Sequence, residues 1–128
     1  MSEEANEGTE EKRALPEITP QELAEWLREG KQFILLDVRE PYEFPRASLQ
    51  DERVVRAPLS DLARKNLDGL PERVKEDKSA PLVVLCHHGN RSAQVTAWLL
   101  DLGWESVYNL AGGIDAYART VDPQVGVY

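Results

Sequence analysis

The sequence predicts an α/β fold, a small parallel sheet flanked by helices on both faces. Two apolar runs carry the prediction. Phe33-Ile34-Leu35-Leu36 and Leu82-Val83-Val84-Leu85 contain no polar residue, and a strand that is apolar at every position is one buried on both faces, as in a parallel sheet. Around them the apolar residues fall at helical spacing instead. Strands alternating with helices are the order that builds a parallel sheet, because each parallel connection needs a crossover. A chain of 128 residues holds one core and not two, so a single domain is expected over residues 15–128.

Residues 1–14 are expected to form an acidic, disordered tail. Glu3, Glu4, Glu7, Glu10 and Glu11 outnumber Lys12 and Arg13, and no aliphatic side chain larger than Ala5 is present to offset the entropy of ordering the segment. The first helix opens at Thr19-Pro20-Gln21-Glu22, a capping box with proline in the first turn. Leu23, Trp26 and Leu27 make its buried stripe, and Gly30 closes it. The strand from Phe33 then ends in Asp37-Val38-Arg39 before Pro41.

Val54-Val55 reads as a short edge strand ended by Pro58. Ser60 is the expected N-cap of a helix carrying Leu62, Ala63 and Leu67. Glu72 to Ser79, with both signs of charge interleaved, reads as a solvated connector. After Leu85 the period changes from strand to helix. Val95, Trp98, Leu99 and Leu102 form the apolar stripe, Gln94, Thr96 and Asp101 the polar face, and Gly103 the stop. Val107-Tyr108-Asn109-Leu110 is a final strand, Ala111-Gly112-Gly113 a turn into a helix through Ile114, Tyr117 and Ala118, and the last residues are expected over the body with Tyr128 tucked in.

The lone cysteine sits where the central strand hands over to its helix, in Cys86-His87-His88-Gly89-Asn90-Arg91-Ser92. Gly89 permits the curl that this handover needs. Amides of the curl and the first helical turn then converge into an anion cradle, with Cys86 placed over it and Arg91 adding positive charge. Such surroundings favour a nucleophilic sulfur. Two blander readings compete: a free cysteine as a small buried hydrophobe, and Cys-His-His as a metal group. Three successive side chains rarely turn toward one ion, and the chain has no further histidine or cysteine, so no metal is expected.

These residues resemble the active-site loop of the rhodanese-like sulfurtransferases, whose common form is Cys-Arg-x-Gly-x-Arg followed by Ser or Thr. Four residues separate Cys86 from Arg91, as in that family, where related phosphatases have five. Asp37-Val38-Arg39 and Leu110-Ala111-Gly112-Gly113-Ile114 are similar to further family segments. The family's Gly-His-Ile-x-Gly-Ala is missing, with Pro45 to Asp51 in its place, and His87 stands where many relatives carry arginine. The resemblance implies a rhodanese-like fold and a sulfurtransferase in which Cys86 carries a sulfane sulfur as a persulfide. It implies an anion-binding loop of His87, His88, Gly89, Asn90, Arg91 and Ser92, Arg91 ordering the loop or meeting the donor's charge, and Ser92 capping the helix. Asp37 and Arg39 would brace or rim the site, against the alternative of an ordinary surface ion pair.

The expected partners are a small anionic sulfur donor such as thiosulfate or a persulfide and an acceptor thiol or sulfur-carrier protein, with no cofactor. The rival function is a non-catalytic binding or sensing module; an oxyanion enzyme of the phosphatase type is opposed by the short loop. A net charge of −8 without a basic stripe argues against nucleic acid. No apolar run reaches membrane-spanning length and the acidic start is unlike a secretory signal. A single cysteine suits a reducing cytoplasm.

Overall fold

The computed structural model describes residues 15–128; the expected acidic tail lies outside the described residues. In chain order the elements are β1 (Glu17–Ile18), α1 (Pro20–Arg28), β2 (Ile34–Asp37), a 3-10 turn (Pro41–Arg46), β3 (Val54–Arg56) and α2 (Leu59–Lys65). They continue with α3 (Glu72–Glu76), β4 (Leu82–Leu85), α4 (Asn90–Asp101), β5 (Val107–Leu110) and α5 (Gly113–Thr120). The strands pair in the order β1-β5-β4-β2-β3, every pair parallel. β4 is central, with Asp37 of β2 opposite Leu85 and Val107 of β5 opposite Leu82.

Alternation along β4 divides the apolar interior into two layers, one on each face of the sheet, where one undivided core was expected. Leu82, Val84 and Cys86 pack with Leu62 of α2, Val74 of α3 and Val95 and Leu99 of α4. Val83 and Leu85 pack with Leu23 of α1 and Ile114 and Tyr117 of α5. Leu35, Leu36, Val83 and Val84 are wholly buried, each contributing about 1.5–3 kcal/mol of hydrophobic stabilisation. The α/β architecture with helices on both faces is therefore the one the apolar runs predict. Among the described residues no helix is long and apolar enough to cross a membrane.

Away from the cysteine loop, three local readings differ from the structure. α2 is capped by Pro58 and not by Ser60. Leu59 N donates to the Val38 carbonyl at 3.0 Å, and Ser60 N and Oγ both donate to the Glu40 carboxylate, at 3.0 and 2.6 Å. A remote carboxylate thus does the work expected of a local side chain. The connector after Pro71 contains α3, because Val74 is buried and its carbonyl accepts from Trp104 Nε1 at 3.1 Å; a single apolar residue in so short a helix leaves no period to read. Thr96 is buried and not on a polar face. Its hydroxyl donates to the Ser92 carbonyl at 2.8 Å, which satisfies it in the core.

Candidate active site

Cys86 follows directly on the carboxyl end of β4, where open α/β sheets place their ligands. Gly89 caps α4 at φ +105°, a conformation that would strain any side chain. The curl aims two amides at sulfur: Gly89 N donates to Cys86 Sγ at 3.1 Å and Ser92 N at 3.3 Å. Ser92 Oγ lies 3.3 Å from the same sulfur and donates to Asn109 Oδ1 at 2.5 Å. Having one hydrogen, that hydroxyl accepts from the thiol while it donates to Asn109. Asn109 Nδ2 closes the circuit on the Gly89 carbonyl at 3.2 Å. Ser92 is therefore a buried neighbour of the sulfur and not a helix cap, that place being taken by the Gly89 backbone.

The far side of the loop is held by α5. Ile114 N donates to the Cys86 carbonyl at 2.9 Å and Asp115 N to the His87 carbonyl at 3.1 Å. Gly113, at φ +69°, is where a Cβ would overlap the His87 carbonyl, so the close approach demands glycine.

Arg91 does not face open solvent. It makes a two-pronged pair with Glu43, at 2.6 and 3.0 Å, and Glu43 is buried. Glu43 Oε1 also accepts from the Tyr128 hydroxyl at 2.8 Å, and its Oε2 from Glu40 N at 2.9 Å. Arg39 is wholly buried and Asp37 nearly so, which excludes the surface-pair alternative. Arg39 reaches Asp37 from Nη2 at 2.8 Å, the Tyr128 hydroxyl at 3.1 Å and the Glu43 carbonyl at 3.3 Å. His87 is half-buried, stacked on the Tyr128 ring at 3.7 Å on one side and on His88 at 3.8 Å. His88 and Asn90 are exposed.

The electrostatics follow from these contacts. Hydrogen bonding to Arg91 holds the Glu43 carboxyl down at about 2, and the same contact raises Arg91 further above its already basic range. Burial, then the charge of His88, lowers His87 below the usual imidazole value. Burial raises the Tyr128 phenol. Glu43 has its lowered value only when folded, so the stability it confers is complete above its ordinary value of 4.5 and is lost as pH falls toward 2. That loss should reach roughly 3 kcal/mol. Chemical denaturation of wild type and Glu43→Gln across this range checks it, the wild type losing its advantage on acidification; parallel pH curves would refute the coupling.

Sequence reasoning placed the Cys86 loop, Asp37 and Arg39 but not Glu43 or Asn109. Asn109 did leave a signal, an amide inside an otherwise largely apolar strand. Glu43 left none, since it lies between Tyr42 and Phe44 in a short segment bounded by Pro41 and Pro45 that carries no period to read.

The family model for the rhodanese-like domain matches residues 19–120. An adenylyltransferase and sulfurtransferase MOCS3-1 of Zea mays is 37% identical over 118 residues, covering 89% of this chain and 25% of that protein. Thiosulfate sulfurtransferase GlpE of Pseudomonas syringae is 34% identical over 106 residues, covering 82% and 89%. The chain spans 30% or less of the length of the first curated relatives it matches. Among solved structures, a rhodanese-related protein of Thermoplasma volcanium superposes with a TM-score of 0.66 at 28% identity, covering 83% of this chain and 93% of its own.

Proposed function

The chain belongs to the rhodanese-like family, and from that membership we propose that it is a sulfurtransferase moving a sulfane sulfur through a persulfide on Cys86. The observation that supports this most is the convergence of Gly89 N and Ser92 N on Cys86 Sγ. Donors already aimed at the atom that bears negative charge stabilise it without reorganisation.

Transfer proceeds as two displacements at sulfur. The Cys86 thiolate attacks the outer sulfur of the donor; a Cys86 S–S bond forms, the donor's own bond to that sulfur breaks, and the remainder departs with the electron pair, as sulfite from thiosulfate or as a thiolate from a persulfide. An acceptor thiolate then attacks the outer sulfur, and its new bond replaces the one to Cys86, which returns as thiolate. Each time the bonding pair leaves with the departing group and the nucleophile's own pair makes the new bond, so the sulfur moves at the sulfane level and no external oxidant is consumed. Arg91, engaged by Glu43, orders the loop and leaves the donor's charge unmet. With no second cysteine to form an internal disulfide, the sulfur must pass to an outside acceptor, a small thiol or a sulfur-carrier protein. A cytoplasmic setting, where a free thiol stays reduced, completes the proposal.

Donor choice follows from charge. Arg91 is paired to Glu43, Arg39 to Asp37, and His87 is lowered below the usual imidazole range and hence neutral near pH 7. Doubly charged thiosulfate therefore meets little net attraction, and a persulfide is the better donor. Intact-mass measurement after incubation with thiosulfate, and separately with cysteine persulfide, which carries less net negative charge, tests both statements. A gain of about 32 Da, reversed by reductant and mapped to Cys86, is expected at least about tenfold faster from the persulfide. No gain from either would remove the enzyme reading in favour of a binding module; faster labelling by thiosulfate would refute the donor assignment alone.

A further inference from the structure

We propose that His87, His88 and Asp115 form a site for a divalent transition-metal ion on the outer side of the cysteine loop. Each offers a ligand atom, and these atoms lie within 4.8 Å of one another. A second observation points the same way. His87 Nε2 and Asp115 Oδ1 are both buried without a hydrogen-bond partner, and a buried polar atom left orphaned is destabilising. Two such atoms thus belong to one three-residue cluster of possible ligands.

The surroundings suit ligation. Arg119 Nε donates to Asp115 Oδ2 at 2.9 Å, leaving Oδ1 for the ion while the guanidinium fixes the carboxylate's orientation. Asp115 is also set in place by its own amide, which donates to the His87 carbonyl. His87 is backed by the Tyr128 ring, on which it stacks at 3.7 Å. His88 is exposed, with Nε2 3.9 Å from Asp115 Oδ2, so it is free to close on the ion. Bonds of about 2.0–2.2 Å require ligand atoms nearer than the present spread, and exposed His88 is the one with room to turn. Two imidazoles and a carboxylate match zinc, copper or nickel and not magnesium or calcium. Three protein ligands leave a coordination position open. The sequence reading found only two histidines in succession; the third ligand is a carboxylate delivered by α5.

The test is calorimetric titration of zinc chloride into the full chain carrying Cys86→Ser, which removes the thiol as a competing ligand and separates the result from sulfur transfer. One equivalent should bind, and His88→Ala or Asp115→Asn on that background should each weaken binding at least about tenfold. Magnesium should give no heat. Cobalt substitution supplies a direct readout, a visible absorption band present in the parent and lost in both variants, with circular dichroism confirming that all three chains are folded. No binding, or binding equally tight in both variants and hence located elsewhere, would overturn the site.

Discussion

Cys86→Ser is expected to reduce sulfur transfer by on the order of 10³-fold or more while leaving the fold intact. The two halves of that expectation have separate causes. A serine hydroxyl is not ionised near neutrality and is a poor nucleophile toward sulfur, so neither displacement proceeds and the mass gain disappears. Stability is preserved because the new Oγ can accept from Gly89 N and Ser92 N as the sulfur does. Cys86→Ala is the less clean variant. It removes the acceptor and leaves two buried amides unsatisfied, at about 1–3 kcal/mol each, so lost activity could reflect a disturbed loop. Steady-state transfer and urea midpoints of wild type and both variants decide the matter. Residual transfer by Cys86→Ser near the wild-type rate would refute the persulfide mechanism.

Asp37→Ala is expected to cost about 3–5 kcal/mol, the range for removing one partner of a buried ion pair. Arg39 is wholly buried. Burial pulls its guanidinium down, yet the hydrogen bond and charge of Asp37 outweigh this and hold it above its ordinary value. Without Asp37 the guanidinium keeps hydrogen bonds to only the Tyr128 hydroxyl and the Glu43 carbonyl, beside the Phe44 and Tyr128 rings, none of them a full counter-charge. A loss of that size is a large share of the stability of an ordinary domain, about 5–15 kcal/mol. Because Arg39 and Glu43 share Tyr128, transfer should fall along with the urea midpoint. The double variant Asp37→Ala with Arg39→Met should recover most of the stability, since an apolar pair can replace a buried ionic one. A loss below about 1 kcal/mol would mean that Arg39 finds solvent and is no brace.

The sheet was legible because its evidence is local: uninterrupted apolar runs at 33–36 and 82–85 have few other uses in a chain of this size. The cysteine loop was legible for the same reason, with Cys86, Gly89, Arg91 and Ser92 adjacent in sequence. What stayed hidden depends on partners far along the chain. Ser60 reads as an N-cap only while Glu40 is out of sight. Ser92 reads as a cap until β5 brings Asn109 beside it. Arg91 keeps two roles open until Glu43 engages its guanidinium, and neither prolines nor charge pattern around Glu43 reveals that it will be buried. Tyr128 was placed over the body by sequence, but its reach to Arg39, Glu43 and the His87 ring needed coordinates.

The docking of α5 on the loop has a kinetic consequence. The carbonyls of Cys86 and His87 find their donors in Ile114 and Asp115, and Ser92 finds Asn109, all contributed by chain that follows the loop. Parallel pairing of β5 with β1 closes nearly the whole described chain before that edge is complete, and such long closures are slow. The outer supports of the loop are thus available only once residues 109–115 are in place. A chain emerging from synthesis therefore exposes Cys86 before the residues that hold its loop from outside.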